Sequence, residues 1–268
     1  MESRKKILLL EDEKVLGEIL LNKLLGSGFD ASWEVNGVDG LKKMRTMNPD
    51  LVLLDIVMPK KDGYEVLEEM HADAELSRIP VIVISNSGQP VEITRIMELG
   101  VKDYIIKAQF KPDEVLEKIE KYLDTEARGE QAREGKKPEK KEGKIWIIED
   151  DQFLSSLSST RLEKEGYTVK VAMDGAQALA MLDKESPDLV LLDIMMPGMN
   201  GFEVLKALRA DPRSKDAIVV MFSNLGQEHE MEEARKSGAD DFLVKARFTL
   251  REVVERVDAL LAKKKRKA

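Results

Sequence analysis

The stretch Leu51-Val52-Leu53-Leu54-Asp55-Ile56-Val57-Met58-Pro59 decides the fold. Four apolar residues run straight into an aspartate, and proline follows four positions later. A continuous apolar run this short is the pattern of a strand buried on both faces, the habit of a central parallel strand. Asp55 then closes the strand at its carboxyl end, where open α/β sheets collect ligands and chemistry. A lone aspartate there often only caps a turn. This chain, however, repeats the stretch as Leu189-Val190-Leu191-Leu192-Asp193-Ile194-Met195-Met196-Pro197.

The two copies lie 138 residues apart, and the same offset joins Glu11 to Glu149, Asp12 to Asp150, Gly63 to Gly201, Ser85 to Ser223 and Lys107 to Lys245. No insertion or deletion is needed between Ile7 and Leu123. Two copies of one domain of about 120 residues is the economical reading. We place them at 1–124 and 144–268, with a segment at 125–143 that is rich in Glu, Lys, Arg and Gln and cannot bury a core. That segment is expected to begin as a continuation of the preceding helix and to fray before Pro138.

Each copy alternates strand and helix. In the first, strands are expected at Ile7–Leu10, Ala31–Val35, the Asp55 stretch, Val81–Ile84 and Asp103–Ile106. Helices are expected from Val15 through Leu24, and at Gly40–Met47, Tyr64–Asp73 and Val91–Leu99. A last helix starts at Pro112 and turns Val115, Leu116, Ile119, Tyr122 and Leu123 inward. Its counterpart opens with Thr249 and Glu252, spaced as a capping box. Five alternating units imply, in each half, a parallel, doubly wound α/β sheet with right-handed crossovers.

Composition narrows the function. The 268 residues are 43% hydrophobic and 35% charged, with no cysteine, so disulfides, thiolate catalysis and Cys-based zinc sites are excluded. That suits a reducing, cytoplasmic setting. No apolar run approaches the roughly 20 residues of a membrane helix. Residues 1–124 and 144–262 each carry a net charge of −7, which argues against a broad nucleic-acid surface.

In a parallel sheet, neighbouring strand ends lie about 5 Å apart. Glu11 and Asp12 end the first strand and Asp55 the third; as neighbours, these strands bring three carboxylates into one cleft. Such a cluster repels itself unless protons or a cation neutralise it. With only oxygen ligands the expected cation is hard, Mg²⁺ or Mn²⁺. Ser85 adds a hydroxyl at the fourth strand end and Lys107 an ammonium at the fifth. This set suits phosphoryl transfer, in which positioning and charge neutralisation do most of the catalysis, with Asp55 as the nucleophile.

The order Glu-Asp, then Asp-x-x-Met-Pro-x-x-[Asp/Asn]-Gly, then Ser, then Lys resembles the receiver domain of two-component response regulators. The resemblance covers nearly all of both halves. It implies the flavodoxin-like fold with strand order 2-1-3-4-5, and phosphorylation of Asp55 and Asp193 by a histidine kinase or a histidine phosphotransfer protein. Asp12, Asp55 and the carbonyl of Val57 match the family's metal ligands, with Glu11 acting through water. Asp150, Asp193, Met195 and Glu149 match likewise. Ser85 and Ser223 match the switch hydroxyl, Lys107 and Lys245 the lysine that pairs with the phosphoryl group, and Tyr104 and Phe242 the switch aromatic. On this reading the chain is a phosphoacceptor rather than an enzyme, without an attached output domain. It would signal through protein contacts at the fourth-helix, fifth-strand and fifth-helix face, by homodimerisation or by docking of the halves. The alternatives are a receiver-fold scaffold that is never phosphorylated and a phosphorelay sink or intermediate.

The sequence departs from the family pattern. Ala108 and Ala246 follow the lysines where a cis proline is usual, so these loops are expected to be trans and reshaped, or strained. Val57 and Met195 are apolar where relatives often carry a polar side chain, and are expected to exclude water and slow dephosphorylation. Val57 and Met195 also stand where a haloacid-dehalogenase-type phosphatase would need a second aspartate. His71 and His229 fall on helices among polar neighbours and are expected to be solvated. Trp33 and Trp146 fall in strands and are expected to pack in the core or at a sheet edge. The basic tail 263–267 is expected to be a solvated helix end.

Overall fold

The computed structural model of the chain describes residues 4–85, 93–107, 111–127, 140–223 and 228–266. The chain divides into two compact units, Met1–Asp124 and Thr125–Ala268.

The first unit runs β1 (Lys6–Leu10), α1 (Lys14–Gly26), β2 (Asp30–Glu34), α2 (Gly37–Met47), β3 (Leu51–Asp55), α3 (Gly63–Ala72), β4 (Val81–Ser85), α4 (Ile93–Glu98), β5 (Asp103–Ile106) and α5 (Pro112–Ala127). The second runs β6 (Lys144–Ile148), α6 (Gln152–Lys164), β7 (Thr168–Ala172), α7 (Gly175–Met181), β8 (Leu189–Asp193), α8 (Gly201–Ala210), β9 (Ile218–Ser223), α9 (Glu228–Lys236), β10 (Asp241–Val244) and α10 (Leu250–Lys265). Each unit holds one five-stranded sheet, ordered β2-β1-β3-β4-β5 and β7-β6-β8-β9-β10, with parallel pairing throughout. The strand order inferred from the resemblance therefore holds in both halves.

The apolar runs explain this arrangement. Every residue of β3 and of β8 is buried, as a central strand covered on both faces requires. Alternate residues of β1, β3 and β4 (Ile7, Leu9, Leu51, Leu53, Ile82, Ile84) pack against Leu20 and Leu24 of α1 and Val115, Ile119 and Leu123 of α5. In the second unit Ile145, Ile147, Leu189, Leu191 and Val220 pack the same way against Val253, Val254, Val257 and Leu261. The opposite face gathers Trp146, Val190, Leu192, Val219 and Met221 under Val204, Leu205 and Leu208. Thr249 and Glu252 form the expected capping box of α10.

Several boundaries differ from the sequence reading. β2 lies one residue earlier, at Asp30–Glu34. Helix α2 starts at Gly37, not Gly40, because the Asn36 side chain accepts from the Asp39 backbone N–H and caps the helix there. Helix α4 spans Ile93–Glu98, and residues 91 and 92 lie outside the described residues. Helix α5 continues past residue 124 to Ala127; the expected fraying before Pro138 also lies outside them. At the far end of that segment, contacts begin before residue 144. The Lys141 backbone N–H donates to the Gly166 carbonyl, and its ammonium lies 2.9 Å from Asp258 of α10 and over the Tyr167 ring. The serine-rich α6 is helical, with Ser155 and Ser159 donating back to the carbonyls of Gln152 and Ser156.

Candidate functional site

Register builds the site. Leu10 of β1 pairs with Leu54 of β3, so Glu11 and Asp55 leave the sheet side by side. One carboxylate oxygen from each of Glu11, Asp12 and Asp55 lies within 4.8 Å of the others. Glu11 and Asp55 are buried, while Asp12 faces solvent. Lys107, at the end of β5, reaches back over both. Its Nζ is 2.7 Å from Glu11 Oε1 and 2.7 Å from Asp55 Oδ2. The Val57 N–H donates to Asp55 Oδ1 at 3.2 Å. Ser85 is buried at the end of β4, and its carbonyl accepts the Lys107 backbone N–H at 2.8 Å.

The second unit repeats the arrangement with the lysine closer to one acid than to the other. Glu149, Asp150 and Asp193 gather their carboxylates within the same 4.8 Å. Lys245 Nζ lies 2.5 Å from Glu149 Oε2 and 3.2 Å from Asp193 Oδ2. Ser223 is buried at the end of β9.

Burial sets the acidities. It pushes Glu11 and Asp55 above the ordinary carboxylate range, and the hydrogen bonds from Lys107 offset only part of this. Burial opposes the Lys107 charge, but its bonds to Asp55 and Glu11 prevail and hold its pKa above the usual lysine value. Burial pushes Glu149 up to about 8 against the pull of Lys245, and also raises Asp193.

Three carboxylates face one ammonium in each cluster, an excess of negative charge that suits a divalent cation. The donor set is oxygen alone, and the buried Glu11 Oε2 has no hydrogen-bond partner. These residues therefore fit a hard cation such as Mg²⁺.

The glycine of the motif has a local cause. A Cβ on Gly63 would lie 2.6 Å from the Asp55 carbonyl oxygen, and one on Gly201 would lie 2.2 Å from that of Asp193. The Gly63 and Gly201 N–H groups donate to Ile56 and Ile194. The loop after the acceptor strand thus folds back on the acceptor's own backbone, and only glycine fits.

Not every expected residue joins the cluster. Tyr104 is buried beneath α5, with Lys118 Nζ 4.7 Å from its ring centroid and 2.7 Å from its carbonyl. Phe242 is only partly buried. Val57 and Met195 are 54% and 63% exposed. Ala108 lies outside the described residues; Lys245–Arg247 form a 3₁₀ turn, and no cis peptide occurs among the described residues. His71 and His229 are exposed, Trp146 is fully buried and Trp33 sits on the edge strand. Two features escaped the sequence reading. One is the buried Lys118–Asp103 pair, 3.3 Å apart. The other is the indole of Trp33, which donates to the Glu11 carbonyl. Gly17 inside a helical pattern was the available signal for the second.

The chain belongs to the response regulator receiver domain family, whose profile matches it twice, at residues 7–120 and 145–258. Among curated proteins it is similar to the DNA-binding dual master transcriptional regulator RpaA of Synechocystis, at 43% identity over 118 residues, 44% of this chain and 48% of that protein. It is also similar to the transcriptional regulatory protein CpxR of Escherichia coli, at 46% identity over 44% of this chain and 49% of that protein. The chain spans about half the length of these relatives. A solved structure of a probable two-component system response regulator/GGDEF domain protein aligns over 98% of this chain and 100% of its own, at 20% identity and a TM-score of 0.45.

Proposed function

We propose that each half accepts a phosphoryl group, on Asp55 and on Asp193, from a histidine kinase or histidine phosphotransfer protein, in a reaction assisted by Mg²⁺ or Mn²⁺. The observation that supports it is the Lys107 ammonium held 2.7 Å from both Glu11 and the acceptor Asp55, at the rim where Ser85 ends the adjoining strand. An Asp55 oxygen bonds to phosphorus while the donor's phosphorus–nitrogen bond breaks and the imidazole keeps the electron pair. Lys107 balances charge on the acceptor carboxylate, and the Val57 N–H orients its other oxygen. Ser85 and Ser223, buried at the ends of β4 and β9, would hydrogen-bond the new phosphoryl group. A bound divalent cation, held by Glu11, Asp12 and Asp55 or by Glu149, Asp150 and Asp193, would neutralise the oxygens of the transferring group.

On this reading the protein is a phosphoacceptor in the cytoplasm, not an enzyme with turnover, and its output is a protein contact. No helix among the described residues is long and apolar enough to cross a membrane. Val15, Ile19 and Val57 expose apolar surface in the first unit, which suits a protein partner. The fourth-helix, fifth-strand and fifth-helix faces are the expected place for homodimerisation.

The test is incubation with acetyl phosphate and Mg²⁺, read by intact mass, on wild type, Asp55→Asn, Asp193→Asn and the double variant. Two added phosphates on wild type, one on each single variant and none on the double support the assignment. An unmodified wild type supports the unphosphorylated scaffold instead.

A further inference from the structure

We propose that Trp33 is a positioning residue for the first unit's cation site, acting through the backbone of Glu11, and that it tightens divalent-cation binding there. The inference rests on the metal reading above.

Trp33 lies on the edge strand β2 and folds its ring over α1 at Gly17. A Cβ at position 17 would stand 2.4 Å from the Cε2 and Cζ2 atoms of the ring, so glycine there is what admits it. The ring's Nε1–H donates to the Glu11 carbonyl at 2.7 Å. The Glu11 N–H donates to the Glu34 carbonyl at 3.1 Å. Glu11 Oε1 accepts from Lys107 at 2.7 Å and from the Glu13 N–H at 3.1 Å. Glu11 is thus held at its amide, its carbonyl and its carboxylate. The peptide plane containing the bonded carbonyl also contains the nitrogen of Asp12, the most exposed acid of the cluster. Fixing that plane fixes where the Asp12 side chain starts. A ligand held in place before the cation arrives loses less conformational freedom on binding.

The second unit lacks this device. Val171 and Ser155 stand at the positions of Trp33 and Gly17. The Glu149 N–H still donates to its edge strand, to the Ala172 carbonyl at 3.0 Å. Valine has no side-chain donor, and Ser155 Oγ donates to the Gln152 carbonyl and Met173 instead. A clamp made by an indole at this position is therefore confined to the first half.

The experiment is calorimetric titration of Mg²⁺ into the full chain carrying Asp150→Asn and Asp193→Asn, which disables the second site, with and without Trp33→Phe. Phenylalanine keeps an aromatic ring over Gly17 and removes the N–H. Loss of one such bond is expected to weaken Mg²⁺ binding roughly three- to tenfold, with the unfolding midpoint little changed. Equal affinity in the two chains overturns the inference and leaves the metal reading standing. Absence of Mg²⁺ uptake by the Trp33 parent overturns the metal reading, and the inference with it. Should Trp33→Phe fail to fold, the Trp146→Phe chain leaves Trp33 as the only indole, since the sequence has two tryptophans. Its indole N–H proton should exchange slowly and shift with Mg²⁺ at the occupancy of the site. A rapidly exchanging indole proton that is silent to Mg²⁺ overturns the proposal.

Discussion

Glu149→Gln should make the cation-free second unit more stable above neutral pH and leave it unchanged in acid. Glu149 is buried, 2.5 Å from Lys245, and its carboxyl is pushed up to about 8 from an ordinary 4.5. Between those values the folded unit keeps a proton that the unfolded chain has already released. Stability from this group is therefore complete below about 4.5 and drains away as pH rises toward 8. At roughly 1.4 kcal/mol per pH unit, that window bounds the loss at about 5 kcal/mol. Glutamine keeps the shape and the acceptor for Lys245 but does not titrate. Burial also raises Glu11 and Asp55, but these lie in the other unit and cancel in the comparison. Asp193 is raised too, and losing the repulsion from Glu149 eases its ionisation, which acts in the same direction as the gain. The assay is urea unfolding in EDTA from pH 5 to pH 8, in a Trp33→Phe background. There Trp146, fully buried in the second unit, is the sole indole reporter. The variant should gain at least about 2 kcal/mol on wild type at pH 8 and less than about 1 kcal/mol at pH 5. Mg²⁺ should shrink the gap, because it stabilises the ionised wild-type cluster. Parallel stability–pH curves for the two proteins would refute the reasoning.

Gly201→Ala places a Cβ 2.2 Å from the Asp193 carbonyl and 2.9 Å from Ile194 Cα, both backbone atoms that cannot swing aside. It should cost about 1–3 kcal/mol in urea unfolding and slow phosphorylation of Asp193 while sparing Asp55. Exposed apolar Val57 and Met195 should keep water from the acyl phosphates; Val57→Glu and Met195→Glu are expected to shorten their lifetimes several-fold in acid-quenched phosphate-release assays, and wild-type lifetimes of only seconds in both halves would count against this. Tyr167→Phe removes the hydroxyl bonded to Asp258, which also holds Lys141. It should cost about 1 kcal/mol and increase amide exchange at Lys141.

Much of this site lies open in the sequence because its logic is local. A strand buried on both faces announces itself as an apolar run, and the residue that ends it must sit at the sheet rim, so Glu11, Asp55, Ser85 and Lys107 can be placed before any coordinates. Recurrence of the whole set after 138 residues excludes chance, and periodic apolar positions mark α5 and α10 as the helices that cover one face. Contacts between side chains far apart in the chain follow no such period. Which acid Lys107 would touch depended on strand order, and it bridges two, 52 and 96 residues away. That Gly63 and Gly201 abut the acceptor's carbonyl, that Lys118 lies buried against Tyr104, and that Trp33 reaches over Gly17 to hold Glu11 follow from how layers pack. Periodicity tells a chain which face to bury; which atoms then meet is settled only when strands and helices close on one another at van der Waals distance.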